Sequence, residues 1–98
     1  MNHAIAQTRS FSRWWMSLKD TKAKVAIGRR IERIQSGNLG DYKALGGGLG
    51  ELRIDLGAGY RVYFVRRGET LIFLLAGGDK SSQTNDIAKA RKLIRELK

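Results

Sequence analysis

The 98-residue chain contains no cysteine and no proline, and its one histidine is His3. Without thiols it has neither disulfides nor a thiolate metal site. We interpret His3, beside the N-terminus, as incidental rather than as a ligand or a catalytic base. No acidic cluster suggests a carboxylate metal site, so we expect no metal or other cofactor. The longest apolar run, residues 71–76, is too short to span a bilayer and no signal-peptide stretch begins the chain. We therefore expect a cytoplasmic protein that does not bind a membrane.

Acidic residues are scarce as well. Nineteen Lys and Arg against nine Asp and Glu give a formal net charge of +10. A chain this small and this basic repels itself, so we expect an anionic partner such as nucleic acid or an acidic protein. The alternative is that the charge only maintains solubility. The length predicts one domain over residues 1–98 with a single modest core.

Two helices are predicted near the N-terminus, after residues 1–8, which form at best a short edge strand. The first helix has Ser10 as its predicted N-cap and the apolar stripe Phe11, Trp14, Trp15 and Leu18. We interpret the tryptophans as core residues; the alternative is base stacking. Asp20 is the predicted cap of a second helix that runs to about residue 36, with the stripe Ala23, Ile27, Ile31 and Ile34. The short connection predicts an antiparallel helical hairpin.

Glycines dominate residues 40–50, including three in a row at 46–48. The segment lacks the Gly-Lys-Ser/Thr of a P-loop and the strand-turn-helix setting of a dinucleotide site. We predict a mobile loop that carries Tyr42 and Lys43. Lys43 is a candidate contact for a nucleic-acid backbone phosphate.

Three strand-like runs follow, at residues 51–56, 60–65 and 70–76. The loop at residues 57–59 predicts Leu56 opposite Tyr60, which places Asp55 opposite Arg61 and Arg53 opposite Tyr63. Because side chains alternate along a strand, Arg53, Arg61 and Tyr63 share the face away from the core. Planar, permanently charged guanidinium groups on a rigid sheet suit a phosphate ligand.

The third strand carries apolar residues on both faces. A tight turn at residues 67–68 predicts that Leu71, Phe73 and Leu75 continue the core face of Val62 and Phe64, with Ile72 and Leu74 opposite. A last helix, about residues 84–97, is the expected cover for that second face, capped by Thr84 or Ser82 and with Asp86 in its first turn. The predicted fold is α+β: an N-terminal helical hairpin packed on a small antiparallel β-sheet, with a C-terminal helix.

Several separated motifs resemble one known family. They are Phe-x-x-Trp followed by Leu-Lys-Asp, then Glu-Leu-Arg-Ile-Asp, Gly-Tyr-Arg-Val-Tyr-Phe, and Leu-Leu-Ala-Gly-Gly-Asp-Lys-Ser-Ser-Gln. Over about residues 11–93 the chain resembles the phage-derived HigB branch of the RelE/ParE toxin superfamily, often labelled addiction-module killer protein. The resemblance implies a RelE-like fold and the toxin of a type II toxin–antitoxin system.

The same resemblance implies partners and an activity. The partners would be a helix-turn-helix, HigA-like antitoxin, which would form a hetero-oligomer with the toxin, and mRNA on the ribosome. The activity would be metal-independent cleavage of mRNA in the ribosomal A site, which inhibits translation. Two alternatives stay open: a ParE-like inhibitor of DNA gyrase without nuclease activity, and a nucleic-acid-binding module or inactive toxin without catalysis.

The resemblance also implies roles for individual residues. Arg53, Arg61 and Lys80 match basic positions of the superfamily, with roles in binding RNA phosphate and stabilising the transition state. Tyr63, which shares their face of the sheet, either stacks on a base or orients an arginine, or is only a half-buried aromatic residue of the strand. Asp55 stands where the superfamily has a second basic residue, and we expect it to pair with Arg61 rather than to act as a base. Asp86 lies where RelE has a catalytic tyrosine, so it is either a proton acceptor or only a helix-capping residue.

Overall fold

The computed structural model describes residues 2–97. The elements in chain order are β1 (Ala4–Gln7), α1 (Arg9–Ser17), α2 (Thr21–Gln35), β2 (Tyr42–Gly46), β3 (Leu49–Ile54), β4 (Tyr60–Arg67), β5 (Leu71–Gly78) and α3 (Gln83–Glu96), with a 3-10 turn (Lys80–Ser82) before α3. The predicted α+β class is confirmed. No helix within residues 2–97 is long and apolar enough to cross a bilayer.

The five strands form one sheet in the order β1-β5-β4-β3-β2. The predicted edge strand near the N-terminus is β1, which pairs with β5. This pair is parallel, whereas the other three pairs are antiparallel. The prediction of a wholly antiparallel sheet is therefore wrong at this edge, because the chain crosses over through α1 and α2 before it returns to the sheet.

The glycine-rich segment forms a β-hairpin, which corrects the prediction of a mobile loop. Within β2, Tyr42 pairs with Leu52 and Lys43 pairs with Glu51. The turn into β3 contains Gly47 and Gly48, with φ of 63° and 84°. Only glycine adopts such angles without strain, so the glycines make the reversal between two strands.

The caps of the first two helices follow local hydrogen bonding. Asp20 caps α2 as predicted, because its Oδ1 accepts from the backbone N–H of Ala23 at 3.1 Å. The N-cap of α1 is Thr8 and not Ser10. The Thr8 hydroxyl accepts from the backbone N–H of Phe11 at 3.0 Å and donates to the carbonyl of Leu75 at 2.5 Å. It thereby ties the start of α1 to β5.

Both faces of the sheet are covered. The face under α1 and α2 has a core of Phe11, Ala23, Ile27, Ile34, Leu52, Ile54, Val62, Phe64, Ile72 and Leu74. The core on the α3 face consists of Leu49, Tyr63, Val65, Leu75, Ala76 and Ala90. The predicted faces of β5 are reversed, since Ile72 and Leu74 share the core of α1 and α2. The reason is the turn at residues 68–70, which pairs Arg67 with Leu71 and shifts the register by an odd number of residues.

Candidate functional site

The register of β3 and β4 differs from the predicted one by two residues. Arg53 lies opposite Arg61, and Ile54 lies opposite Tyr60. An even shift keeps every side chain on its predicted face. Arg53, Arg61 and Tyr63 therefore share the α3 face of the sheet. The expected pair between Asp55 and Arg61 is absent, because Asp55 follows the end of β3 and is exposed.

A buried polar cluster lies on this face, and it contains Glu51, which stands two residues before Arg53 on β3. Glu51 is 0% exposed and Arg61 is 2% exposed. Oε1 of Glu51 lies 3.7 Å from Nε of Arg53 and 4.0 Å from Nε of Arg61. Oε2 accepts from Nε2 of Gln83 at 2.7 Å. The first residue of α3 thus joins the sheet and closes over the cluster.

Burial changes what two of the predicted site residues offer to a ligand. Arg61 is almost inaccessible, and its Nη1 donates to the carbonyl of Tyr60 at 3.1 Å. Tyr63 is 0% exposed, so its ring presents no face to a base in this conformation. Burial and the nearby carboxylate of Glu51 raise the pKa of Tyr63 above its ordinary value. The phenol therefore stays protonated at neutral pH and is not a base.

Two other predicted residues carry positive charge at the surface of the same face. The side chain of Arg53 is 42% exposed, and its only ion pair within residues 2–97 is with Glu51. Lys43 is exposed and pairs across β2 and β3 with Glu51. Cross-strand partners point to the same face, so Lys43 and Arg53 flank the buried carboxylate.

Lys80 is exposed in the 3-10 turn before α3, against the turn between β3 and β4. A Cβ added to Gly59 would lie 3.1 Å from Cγ and Cδ of Lys80, so the aliphatic part of the lysine rests on this glycine. Asp79 holds the 3-10 turn, because its Oδ1 accepts from the backbone N–H of Ser81 at 2.8 Å. The hydrogen bond from the Ser81 hydroxyl lowers the pKa of Asp79. The backbone around Lys80 is thereby fixed beside the first residues of β4.

Asp86 lies in the first turn of α3 and lines a polar cleft of about 430 Å³ between α1 and α3, together with Arg13, Trp14 and Lys89. Its Oδ2 accepts from the Ser82 hydroxyl at 2.5 Å. The carboxylate rests on Gly78, where an added Cβ would overlap Oδ2. Gly78 is the cross-strand partner of Arg61, so Asp86 borders the buried cluster. Within residues 2–97, no three His, Asp or Glu side chains come together as a metal site.

Sequence reasoning missed two members of the cluster, Glu51 and Gln83. Glu51 stands two residues before Arg53 on β3, so alternation places both side chains on the same face, but it did not show that Glu51 is buried there. Nothing in the sequence indicated that Gln83 would close over them, because that contact depends on how α3 docks.

Comparison with known proteins gives three findings. The family model described as "Phage derived protein Gp49-like (DUF891)" matches residues 13–98. An uncharacterised protein of Haemophilus influenzae is 47% identical over 97 residues, which cover 99% of this chain and 98% of that protein. The free state of a mutant of the E. coli toxin RelE superposes with a TM-score of 0.74 at 17% identity, covering 96% of this chain and 99% of that one. The chain therefore has the RelE fold, and it belongs to the Gp49-like family of phage-derived proteins.

Proposed function

We propose that the chain is the toxin of a type II toxin–antitoxin system and cleaves mRNA on the ribosome without a metal ion. The observation that carries this proposal is the exposed guanidinium of Arg53, held on a rigid strand above the buried charges of Glu51 and Arg61. The planar guanidinium can donate two parallel hydrogen bonds to a phosphate group, and the surrounding positive charges attract a polyanionic substrate. The fold shared with the RelE toxin supports the same class of function.

The proposed reaction is an intramolecular transfer. A ribose 2′-hydroxyl attacks the adjacent phosphorus, the P–O5′ bond breaks, and a 2′,3′-cyclic phosphate and a 5′-hydroxyl form. Negative charge accumulates on the non-bridging oxygens in the transition state, so fixed positive charge there lowers the barrier. Arg53 would donate hydrogen bonds to these oxygens, and Lys43 and Lys80 would bind neighbouring phosphates. Arg61 is almost completely buried and has almost no surface for direct contact, so it would contribute only its positive electrostatic potential.

A proton must leave the 2′-hydroxyl and another must reach the 5′-oxygen. Among the predicted residues, Asp86 is the proposed acceptor, since a carboxylate accepts a proton whereas an arginine near neutral pH does not. Its carboxylate accepts a hydrogen bond from the Ser82 hydroxyl and faces a cleft open to solvent. A nucleotide in this cleft would have Asp86 on one side and the cations Arg13 and Lys89 near it.

The proposed partner in the resting cell is a helix-turn-helix, HigA-like antitoxin in a hetero-oligomer with this chain. The net charge of +10 favours a partner that presents acidic residues. Such a segment over Lys43 and Arg53 would compete with RNA for the same cations.

The test is cleavage by the purified chain of mRNA on programmed ribosomes and of the same mRNA free in solution, mapped by primer extension. We expect cuts at the A-site codon on ribosomes. Arg53→Gln should lower the rate about 100-fold, as for loss of one transition-state donor. Arg66→Gln removes an exposed arginine from the opposite face of β4 and should change the rate less than about threefold.

A gyrase supercoiling assay on the same preparation separates the two toxin classes. Trapped gyrase–DNA complexes without RNA cuts would overturn the proposal in favour of a ParE-like inhibitor. Equal loss of cleavage in the Arg53 and Arg66 variants would overturn the assignment of the site.

A further inference from the structure

A fully buried carboxylate on the site face requires a physical explanation. Glu51 is 0% exposed, and moving a carboxylate out of water is costly unless charges and hydrogen bonds compensate. The compensation here comes from two guanidinium groups and one side-chain amide. Glu51 lacks access to substrate, so it is neither a phosphate ligand nor a general base.

The two oxygens of Glu51 have different tasks. Oε2 is anchored to α3 by the 2.7 Å hydrogen bond from Gln83. Oε1 accepts no hydrogen bond within residues 2–97 and faces the Nε atoms of Arg53 and Arg61 at 3.7 and 4.0 Å. One oxygen thus fixes the carboxylate to the helix, and the other attracts both arginines.

The position between these arginines matters because they carry like charges. Arg53 and Arg61 lie directly opposite one another on β3 and β4. Like charges at such a pair repel each other, and Arg61 is also removed from water. A negative charge between them offsets the repulsion and makes an inward-facing Nε the favourable arrangement for each arginine.

The attraction to Glu51 also determines which way the guanidinium of Arg53 points. With Nε facing Glu51, the N–H groups of its two terminal nitrogens remain free of protein partners within residues 2–97, on a side chain that is 42% exposed. A guanidinium whose Nε is attracted to a buried carboxylate samples fewer orientations, so it loses less conformational freedom when it binds phosphate.

We propose that Glu51 is a positioning residue, whose buried carboxylate orients the guanidinium of Arg53 toward an RNA phosphate. This inference rests on the proposed ribonuclease function and adds to it the group that acts through Arg53. The carboxylate lowers the net positive charge of the site, so it does not strengthen the attraction of RNA. Its contribution is to orient the guanidinium of Arg53.

That distinction predicts a split between two kinetic constants. Glu51→Gln keeps the shape of the side chain and removes its charge. The site then presents one more net positive charge to RNA, so KM should fall. The freed guanidinium is less often in the productive orientation, so kcat should fall about tenfold. A variant that is only partly folded would lose kcat without any decrease in KM.

Matched variants test the charge and the geometry separately. Glu69→Gln makes the same charge change in the exposed turn between β4 and β5, and it should leave kcat unchanged. Glu51→Asp keeps the charge on a shorter side chain and should retain more activity than Glu51→Gln. If the Asp variant loses as much kcat as the Gln variant, with KM raised in both, positioning by charge is overturned.

A second measurement is independent of RNA cleavage. In ¹⁵N-labelled protein, the Nε–Hε heteronuclear NOE of Arg53 should approach backbone values and drop in Glu51→Gln, while that of exposed Arg66 stays low in both. Equal mobility of Arg53 and Arg66 in the unmutated chain would overturn the proposal, whatever the ribosome assay shows. A rigid Arg53 in a chain that cuts no RNA would instead keep the positioning role and refute the proposed function alone.

Discussion

Arg53 lies directly opposite Arg61 in the register of β3 and β4, and the carboxylate of Glu51 faces both side chains. The exposed member of this pair is available to a ligand, whereas the buried member is part of the core on the α3 face. The same residue type in adjacent positions thus has two different physical roles, which a substitution at each position distinguishes.

Removal of the buried arginine should destabilise the chain. Arg61→Met keeps much of the apolar volume but leaves Glu51 buried with its charge less well compensated, so we expect a loss of about 3–5 kcal/mol. Urea unfolding followed by circular dichroism measures this loss. Arg66→Met, at an exposed position of β4, should cost less than about 0.5 kcal/mol. Equal stability of the two variants would show that Arg61 is not part of a buried ion network.

Thr8 and Ser10 are both residue types that cap helices, and the structure selects Thr8. Thr8→Ala removes the acceptor of the Phe11 N–H and the donor to the Leu75 carbonyl, and it should cost about 1–2 kcal/mol. Ser10→Ala should change stability by less than about 0.5 kcal/mol, since the Ser10 hydroxyl makes no side-chain hydrogen bond within residues 2–97. The thermal midpoints of the two variants give the comparison, and a larger decrease for Ser10→Ala would contradict the assigned cap.

Gly50 lies beneath the ring of Phe64, where an added Cβ would overlap the ring carbons. Gly50→Ala should therefore cost about 1–3 kcal/mol through overpacking. Gly28 in α2 is the matched control, because a Cβ there would meet Trp15 at an ordinary 3.7 Å. Gly28→Ala should stabilise the chain by about 0.5–1 kcal/mol, the difference in helix propensity. Relative to the unmutated chain, the denaturant midpoint should fall in Gly50→Ala and rise in Gly28→Ala. A higher midpoint for Gly50→Ala would contradict the observed packing of Phe64 on Gly50.

Tyr63 should make stability sensitive to alkaline pH. Burial raises its pKa above the ordinary value of 10.0, so the folded state holds the phenolic proton more tightly than the unfolded state. This contribution is complete below the unfolded pKa and declines as pH rises from there toward the folded value. Urea midpoints measured from about pH 8 to pH 11 should therefore fall more steeply for the unmutated chain than for Tyr63→Phe. Tyr42→Phe, at a ring that is 45% exposed, controls for the loss of a hydroxyl.

Local features of the chain were predictable where a short-range interaction decides them. Asp20 caps α2 because its carboxylate reaches a backbone N–H three residues on. The N-cap of α1 was not predictable, since two suitable residues stand two positions apart and the contact of Thr8 with β5 selects between them. Lys43 and its neighbours had the glycine content of a loop, and only pairing with β3 makes them a strand.

For the candidate site, alternation along a strand was sufficient to place Arg53, Arg61 and Tyr63 on one face, because a two-residue error in register leaves the face unchanged. Alternation carries no information on what covers that face. The docking of α3 buries Arg61, Tyr63 and Glu51 and leaves Arg53 in contact with water. Burial depends on contacts between residues far apart in the chain, such as Gln83 with Glu51, and these exist only once the helix has packed on the sheet.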